Sequence, residues 1–137
     1  MRYTWPASCS SGSIWLADSA WLPTNLLPSP QLDWEAIDDH SARLTFTDHN
    51  HSAVLLVRFN ERDEIEECEA LRYFGDATQL PWVGSFAQYR RQQGVLVPFE
   101  GEASWIVDGQ RQPYAHFTVQ ELSFEPLRPF NSGRRIR

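Results

Sequence analysis

Three groups of residues in this 137-residue chain are of types that do chemistry. Arg72 falls in phase with Cys68 and Ala70 in "IEECEALRYF", on a strand face that should be buried. A buried guanidinium requires a carboxylate, and Glu102, Glu69 or Glu35 could supply one across a sheet. Such a pair would act as a clamp for a ligand carboxylate or as an acid/base pair. Its commoner role is a cross-strand ion pair with no function beyond structure. The second group is "DHNH", where alternation puts His49 and His51 on one side beside Asp48. Three ligands inside a hairpin turn lack the spacing of a zinc motif, so a solvated turn is the better reading. His40 and His116 stand alone. The third group is aromatic: Trp15, Trp21, Trp34, Trp82, Trp105, Phe86 and Tyr114 would line an apolar groove or fill the core of a small domain.

Several chemistries find no support. The acidic run Glu61, Asp63, Glu64, Glu66, Glu67 and Glu69 lacks the glycine and spacing of a calcium loop. There is no G-x-S-x-G elbow, no Cys–His arrangement readable from spacing and no glycine-rich phosphate cradle. No metal and no cofactor is expected. A net charge of −6 lacks the basic footprint that nucleic acid demands. All twelve cations are arginines, scattered along the chain rather than clustered.

The elements that must position these residues follow from periodicity. Residues 1–12 read as a strand-like start and a linker. Ser13 caps a short helix over 13–22, with Trp15, Leu16, Ala20 and Trp21 near one face and Asp18 outside. Pro23 ends it, and Pro28 and Pro30 keep the next stretch irregular. From Leu32 the period is two, giving seven strands: "LDWEA", "ARLTFT", "SAVLLVRF", "IEECEALRYF", "WVGSFAQYRR", "GVLVPFEGEASWIV" and "YAHFTVQELSF". "GDATQLP" reads as a longer loop, Asp108-Gly109 as a tight hairpin, and 126–137 as a loosely held tail. Gly84, Pro98 and Gly101 interrupt strand patterns where bulges or bends are usual.

The expectation is one mainly β (α+β) domain over 1–137, a curved, half-barrel-like antiparallel meander with its sheet over 32–125. Its oily face needs a second layer, from the N-terminal helix, from its own curl, or from another subunit, which makes a homodimer the expected state. No apolar run approaches a membrane span. The two cysteines, Cys9 and Cys68, form no disulfide framework, so a cytoplasmic protein is expected.

The stretches "WLPTNLLPSPQLDWEAIDDHSARLTFTD" and "FEGEASWIVDGQRQPY" resemble the C-terminal part of an uncharacterised bacterial family, a domain of unknown function. The likeness covers most of residues 13–125, with Trp21, Pro23, Trp34, Asp38, Asp39, Trp82, Gly84, Tyr89, Pro98, Glu102, Trp105, Pro113 and Tyr114 among its markers. It implies no activity. Tyr89, Gly94 and Pro98 are also similar to a hairpin of lipoprotein-localisation carriers. That resemblance implies an incomplete barrel whose concave face holds an acyl chain, although the additional N-terminal strands of that family are absent here.

The missing nucleophile and metal motifs favour a non-enzymatic module that binds an apolar, lipid-like ligand or a protein on a concave sheet. The expected ligand-contacting residues are Trp34, Arg72, Trp82, Phe86, Tyr89, Glu102, Trp105 and Tyr114. Two alternatives stand beside it: an enzyme in which Arg72, Glu102, Tyr89 and His116 converge in the concavity, and a self-associating structural module.

Overall fold

The computed structural model describes residues 17–74 and 78–124. Its seven strands are β1 (Leu32–Asp38), β2 (Ser41–Asp48), β3 (His51–Phe59), β4 (Ile65–Phe74), β5 (Thr78–Gln92), β6 (Val95–Val107) and β7 (Gln110–Thr118). They pair antiparallel in chain order, so β1 and β7 are the two edges of a sheet that does not close into a barrel. Turn chemistry dictates this meander. Gln93-Gly94 have φ of 52° and 81°, and Asp108-Gly109 have 51° and 74°. Two consecutive positive values match the twist of two-residue hairpins. Between β3 and β4, the side-chain oxygen of Asn60 accepts from the N–H groups of Arg62 (2.9 Å) and Glu64 (3.1 Å) and closes an Asx turn.

Alternation sorts the side chains between two faces. Leu32, Leu44, Leu55, Val57, Cys68, Ala70, Trp82, Phe86 and Ala103 are buried together on the inner face. The register sets Val57, Cys68, Gly84, Ala103 and Ala115 in one row across five strands. That row of small side chains leaves depth for a covering layer, which the chain supplies from its own N-terminal side. Ala17 and Ala20 are buried in the same core. The Trp21 indole donates to the Pro98 carbonyl on β6 (2.8 Å) and meets Phe86 edge-on at 5.4 Å. The Leu26 carbonyl accepts from the Trp34 indole on β1 (2.7 Å). One short wedge, residues 17–26, therefore ties β1 to β6, and the sheet curls about it. The centre of the inner face is thus covered by the chain itself.

The outer face mixes charged pairs with exposed apolar side chains, among them Val54, Leu56, Leu71 and Tyr73. Glu67 on β4 accepts from Arg58 on β3 (3.3 Å) and from Arg111 on β7 (2.8 Å), while Arg43 pairs with Glu35 at 3.0 Å. Such exposed pairs contribute little stability each, about 0–1 kcal/mol.

The structure corrects several expectations. Residues 1–16 and 125–137 lie outside the described residues, and with them the strand-like start, the Ser13 cap, Trp15, Cys9 and the tail. Within the described part of 13–22 there is no regular helix beyond its first residues, only a 3-10 turn over Ser19–Trp21. Pro23 does not simply stop it: Pro23 opens a second 3-10 turn, Pro23–Leu26, where its missing N–H goes unneeded. The loop expected before "WVGSF" is shorter, because β5 begins at Thr78 and runs 15 residues. The last strand begins at Gln110, earlier than expected, and ends at Thr118. Register continues unbroken through Gly84, Pro98 and Gly101. The shifts fall instead at Ala36/Asp38, Arg58/Phe59 and Ala103/Ser104. The two glycines serve indole rings: a Cβ on Gly84 would stand 2.9 Å from the Trp82 ring, and one on Gly101 would stand 3.4 Å from Trp21.

Candidate functional site

The inner face is not an empty cavity. Beneath the wedge the remaining void is about 10 Å³, lined by Ala20, Leu44, Cys68 and Phe86 among others. That is about one water molecule's worth of space. Phe86, an expected ligand contact, is part of this packed core. Burial pushes the Cys68 thiol up to about 12, far from the thiolate that nucleophilic chemistry needs.

On one side of the wedge, an open groove of about 400 Å³ remains. Its walls are Pro23, Leu26 and Pro28 from the wedge, with Trp34, Phe59, Ile65, Tyr89 and Leu96 from the strands. Two local irregularities create the strand wall. The register shift opposite Arg58/Phe59 sets Ile65 against Phe59. In β5, Gln88 takes φ 55°, and Tyr89 rather than Gln88 packs against the core. The Tyr89 hydroxyl donates to the Ile65 carbonyl (2.7 Å). Burial, then the nearby Glu64 carboxylate, holds this phenol protonated well above its ordinary range. Among the described residues, Asp63 and Glu64 are the only charged ones lining the groove, and Glu64 accepts from the Asn60 amide at 2.9 Å.

On the other side lies a cluster of rings around one cation. The Arg72 guanidinium stands 5.1 Å from the Trp82 ring centroid and 5.3 Å from that of Trp105. Trp82 lies over Gly84 and Cys68 and donates its indole N–H to the Tyr114 hydroxyl (2.8 Å). The extra residue in β7 at the Ala103/Ser104 shift is Tyr114 itself. Tyr114 stacks on Trp105 at 6.1 Å, and Phe74 meets Trp105 edge-on at 5.2 Å. The Arg72 Nε is buried and has no hydrogen-bond partner. Asp18 lies nearby, its carboxyl raised by burial and held back in part by the charge of Arg72.

The structure therefore divides the expected ligand contacts between two regions. Trp34 and Tyr89 line the groove; Arg72, Trp82, Trp105 and Tyr114 form the ring cluster. Glu102 belongs to neither, because its partners Ser85 and His116 place it on the outer face. Glu69 and Glu35, the other expected partners of Arg72, also lie there, in the row of Arg43 and Leu56. The expected Arg72–Glu102 pair is thus separated by the sheet, and Arg72, Glu102, Tyr89 and His116 do not converge. His116 instead meets Glu100 at 2.8 Å. His49 sits in a turn at φ 52°, and among the described residues no group of three His, Cys, Asp or Glu could hold a metal. The contacts that sequence reasoning missed are Phe74, Phe59, Ile65 and Asp18. Phase alone signalled Phe74, which follows Arg72 at the two-residue step.

Among the described residues, no helix is long and apolar enough to cross a membrane. The model of a family of unknown function, DUF6920, matches residues 8–124. No curated protein and no solved structure matches the chain.

Proposed function

The chain belongs to this family of unknown function, and from its geometry we propose a non-enzymatic module that binds one elongated apolar molecule in the groove beside the wedge. The observation that supports the reading is the contrast in filling along one face. A core packed down to about 10 Å³ adjoins an apolar groove of about 400 Å³, which falls within the ~300–1,000 Å³ of small-molecule sites. The polar groups of its walls are spent internally: the Trp34 indole on Leu26 and the Tyr89 hydroxyl on Ile65. The walls therefore offer a ligand surface contact rather than hydrogen bonds, and burial of apolar area is the driving force. The carboxylates of Asp63 and Glu64 at the lining select the ligand's polar end, which is neutral or cationic rather than a carboxylate.

The test is uptake of N-phenyl-1-naphthylamine, an uncharged apolar dye, followed by fluorescence, with native mass spectrometry of the freshly purified protein for a co-purified ligand. Saturable uptake near one dye per chain is expected, with dodecylamine displacing it more readily than dodecanoate. Leu96→Glu puts a charge on an exposed wall position and should abolish uptake while the fold persists. Absence of saturable uptake by the folded protein removes this reading.

A further inference from the structure

We propose that the Arg72 end of the inner face is a second binding site, independent of the groove, for a carboxylate carried on a flat aromatic body. Two indoles hold the guanidinium at 5.1 and 5.3 Å. Ring quadrupoles attract a cation through their faces, which leaves the in-plane N–H fork of the arginine unused. Among the described residues no carboxylate lies within ion-pairing distance of Arg72, and its buried Nε has no acceptor. Arg43, Arg58 and Arg111 on the outer face have each found one. A buried donor left unpaired in a native structure asks for an explanation, and a side-on carboxylate would supply two acceptors to the Nε and Nη edge.

The surroundings choose the rest of the ligand. Phe74 and Tyr114 are 51% and 55% exposed and flank Trp105, so the rim offers half-bare ring surface for stacking. One guanidinium balances one negative charge. A dianionic phosphate would bring a second charge beside Asp18 with no further cation described in the cluster. Asp18 is the nearest internal competitor. It feels the charge of Arg72 but does not close to bonding distance.

The experiment follows the six indole N–H signals of the ¹⁵N-labelled protein during titration with 2-naphthoate and, separately, uncharged 2-naphthamide. Two signals, assigned to Trp82 and Trp105 by Trp→Phe variants, should shift saturably with naphthoate, which should bind about tenfold more tightly than the amide, as a charge-assisted fork implies. Arg72→Gln should erase that preference with the other indole signals in place. Arg72→Lys, charged but unable to fork, should retain only part of it. Asp18→Asn should tighten naphthoate several-fold by removing a like charge. Equal affinity for acid and amide, shifts confined to the Trp34 signal, or indifference to Arg72→Gln would overturn the proposal. So would an Asp18→Asn protein that loses stability and leaves naphthoate unbound, since Asp18 would then be the partner Arg72 serves. Naphthoate binding without dye uptake in the groove would leave this site standing and remove the other.

Discussion

The two ends of the inner face flank the same wedge and are built from similar residues, Trp34, Phe59 and Tyr89 at one, Trp82, Trp105 and Tyr114 at the other. They differ in what their polar atoms do. At the groove end, the indole of Trp34 and the phenol of Tyr89 each reach a backbone carbonyl, at 2.7 Å in both cases, so the rings are pinned and no polar atom of theirs is left over. At the Arg72 end, Trp82 is pinned to Tyr114, yet the cation between the rings keeps a buried donor without an acceptor. Aromatic content alone does not distinguish a wall from a recognition site. The hydrogen-bond account does, because a paired group has nothing to offer a ligand.

The comparison breaks most completely if the wedge is removed. Trp21→Ala deletes the edge contact with Phe86 and the bond to Pro98 and uncovers the core between both ends. Its expected cost is about 3 kcal/mol, the low end of the range for Trp truncation because the ring is only part-buried. Urea unfolding measures it, and both dye uptake and naphthoate binding should fall together.

Next in size are the two glycines, which separate the ends. Gly84→Ala drives a Cβ to 2.9 Å from the Trp82 ring and 3.0 Å from the Cys68 sulfur. That ring is anchored by Tyr114 and cannot swing aside freely, so about 1–3 kcal/mol of overpacking cost is expected. The Arg72 platform should be disturbed and naphthoate binding weakened, while dye uptake persists. Gly101→Ala meets Trp21 at 3.4 Å, ordinary contact distance, and should be near neutral by the same urea titration. Equal costs at the two positions would deny the close approach at Gly84.

At the groove end, Tyr89→Phe removes one hydroxyl and orphans the Ile65 carbonyl. A loss of about 1 kcal/mol is expected, with dye uptake retained, because the proposed ligand would meet the ring and not its oxygen.

Much of this architecture was legible in the sequence. Residues such as Ala42, Leu44 and Phe46 announce their strand by period two, and Asp108-Gly109 its hairpin, since both signals are local. What period cannot convey is how a strand changes face. The one-residue shifts opposite Arg58/Phe59 and at Ala103/Ser104 and the positive φ of Gln88 re-aim Ile65, Tyr114 and Tyr89. Pro113 and Pro98 stand opposite two of those positions, at Ser104 and Tyr89, but a proline in a strand does not say which neighbour changes face. The Arg72–Glu102 pairing failed for a related reason. Both residue types suited a salt bridge, but face parity across three strands depends on register, which only pairing fixes. Asp18 was placed outside the N-terminal element, correctly as to exposure, yet nothing local shows that it stands near Arg72.

The smallest effect sharpens the comparison through pH. Asp18, beside Arg72, has its carboxyl raised above the ordinary value of 3.8, chiefly by burial, with Arg72 opposing. Below that value both folded and unfolded chains hold the proton, and Asp18 costs nothing. As pH rises through it the unfolded chain releases the proton first, so stability falls until the folded carboxyl also ionises, and the deficit then persists at neutral pH. Asp38 works with the opposite sign. The His40 N–H donates to its carboxylate at 2.8 Å, and that bond, with others from Ser41, lowers its pKa. Its contribution is present above the ordinary value and is lost as pH falls through the lowered one. Asp18→Asn should therefore stabilise the protein at pH 7 and not at pH 3, whereas Asp38→Asn should destabilise it at pH 7 with the difference shrinking toward pH 3. Both effects are small because Asp18 is only partly withdrawn from solvent and Asp38 is fully exposed. Thermal unfolding across that range reads the two slopes, and Arg72→Gln should steepen the Asp18 slope by removing the charge that opposes burial. Parallel slopes for the two variants would mean that Asp18 is not desolvated, and the Arg72 end would lose the neighbour that distinguishes it from the groove.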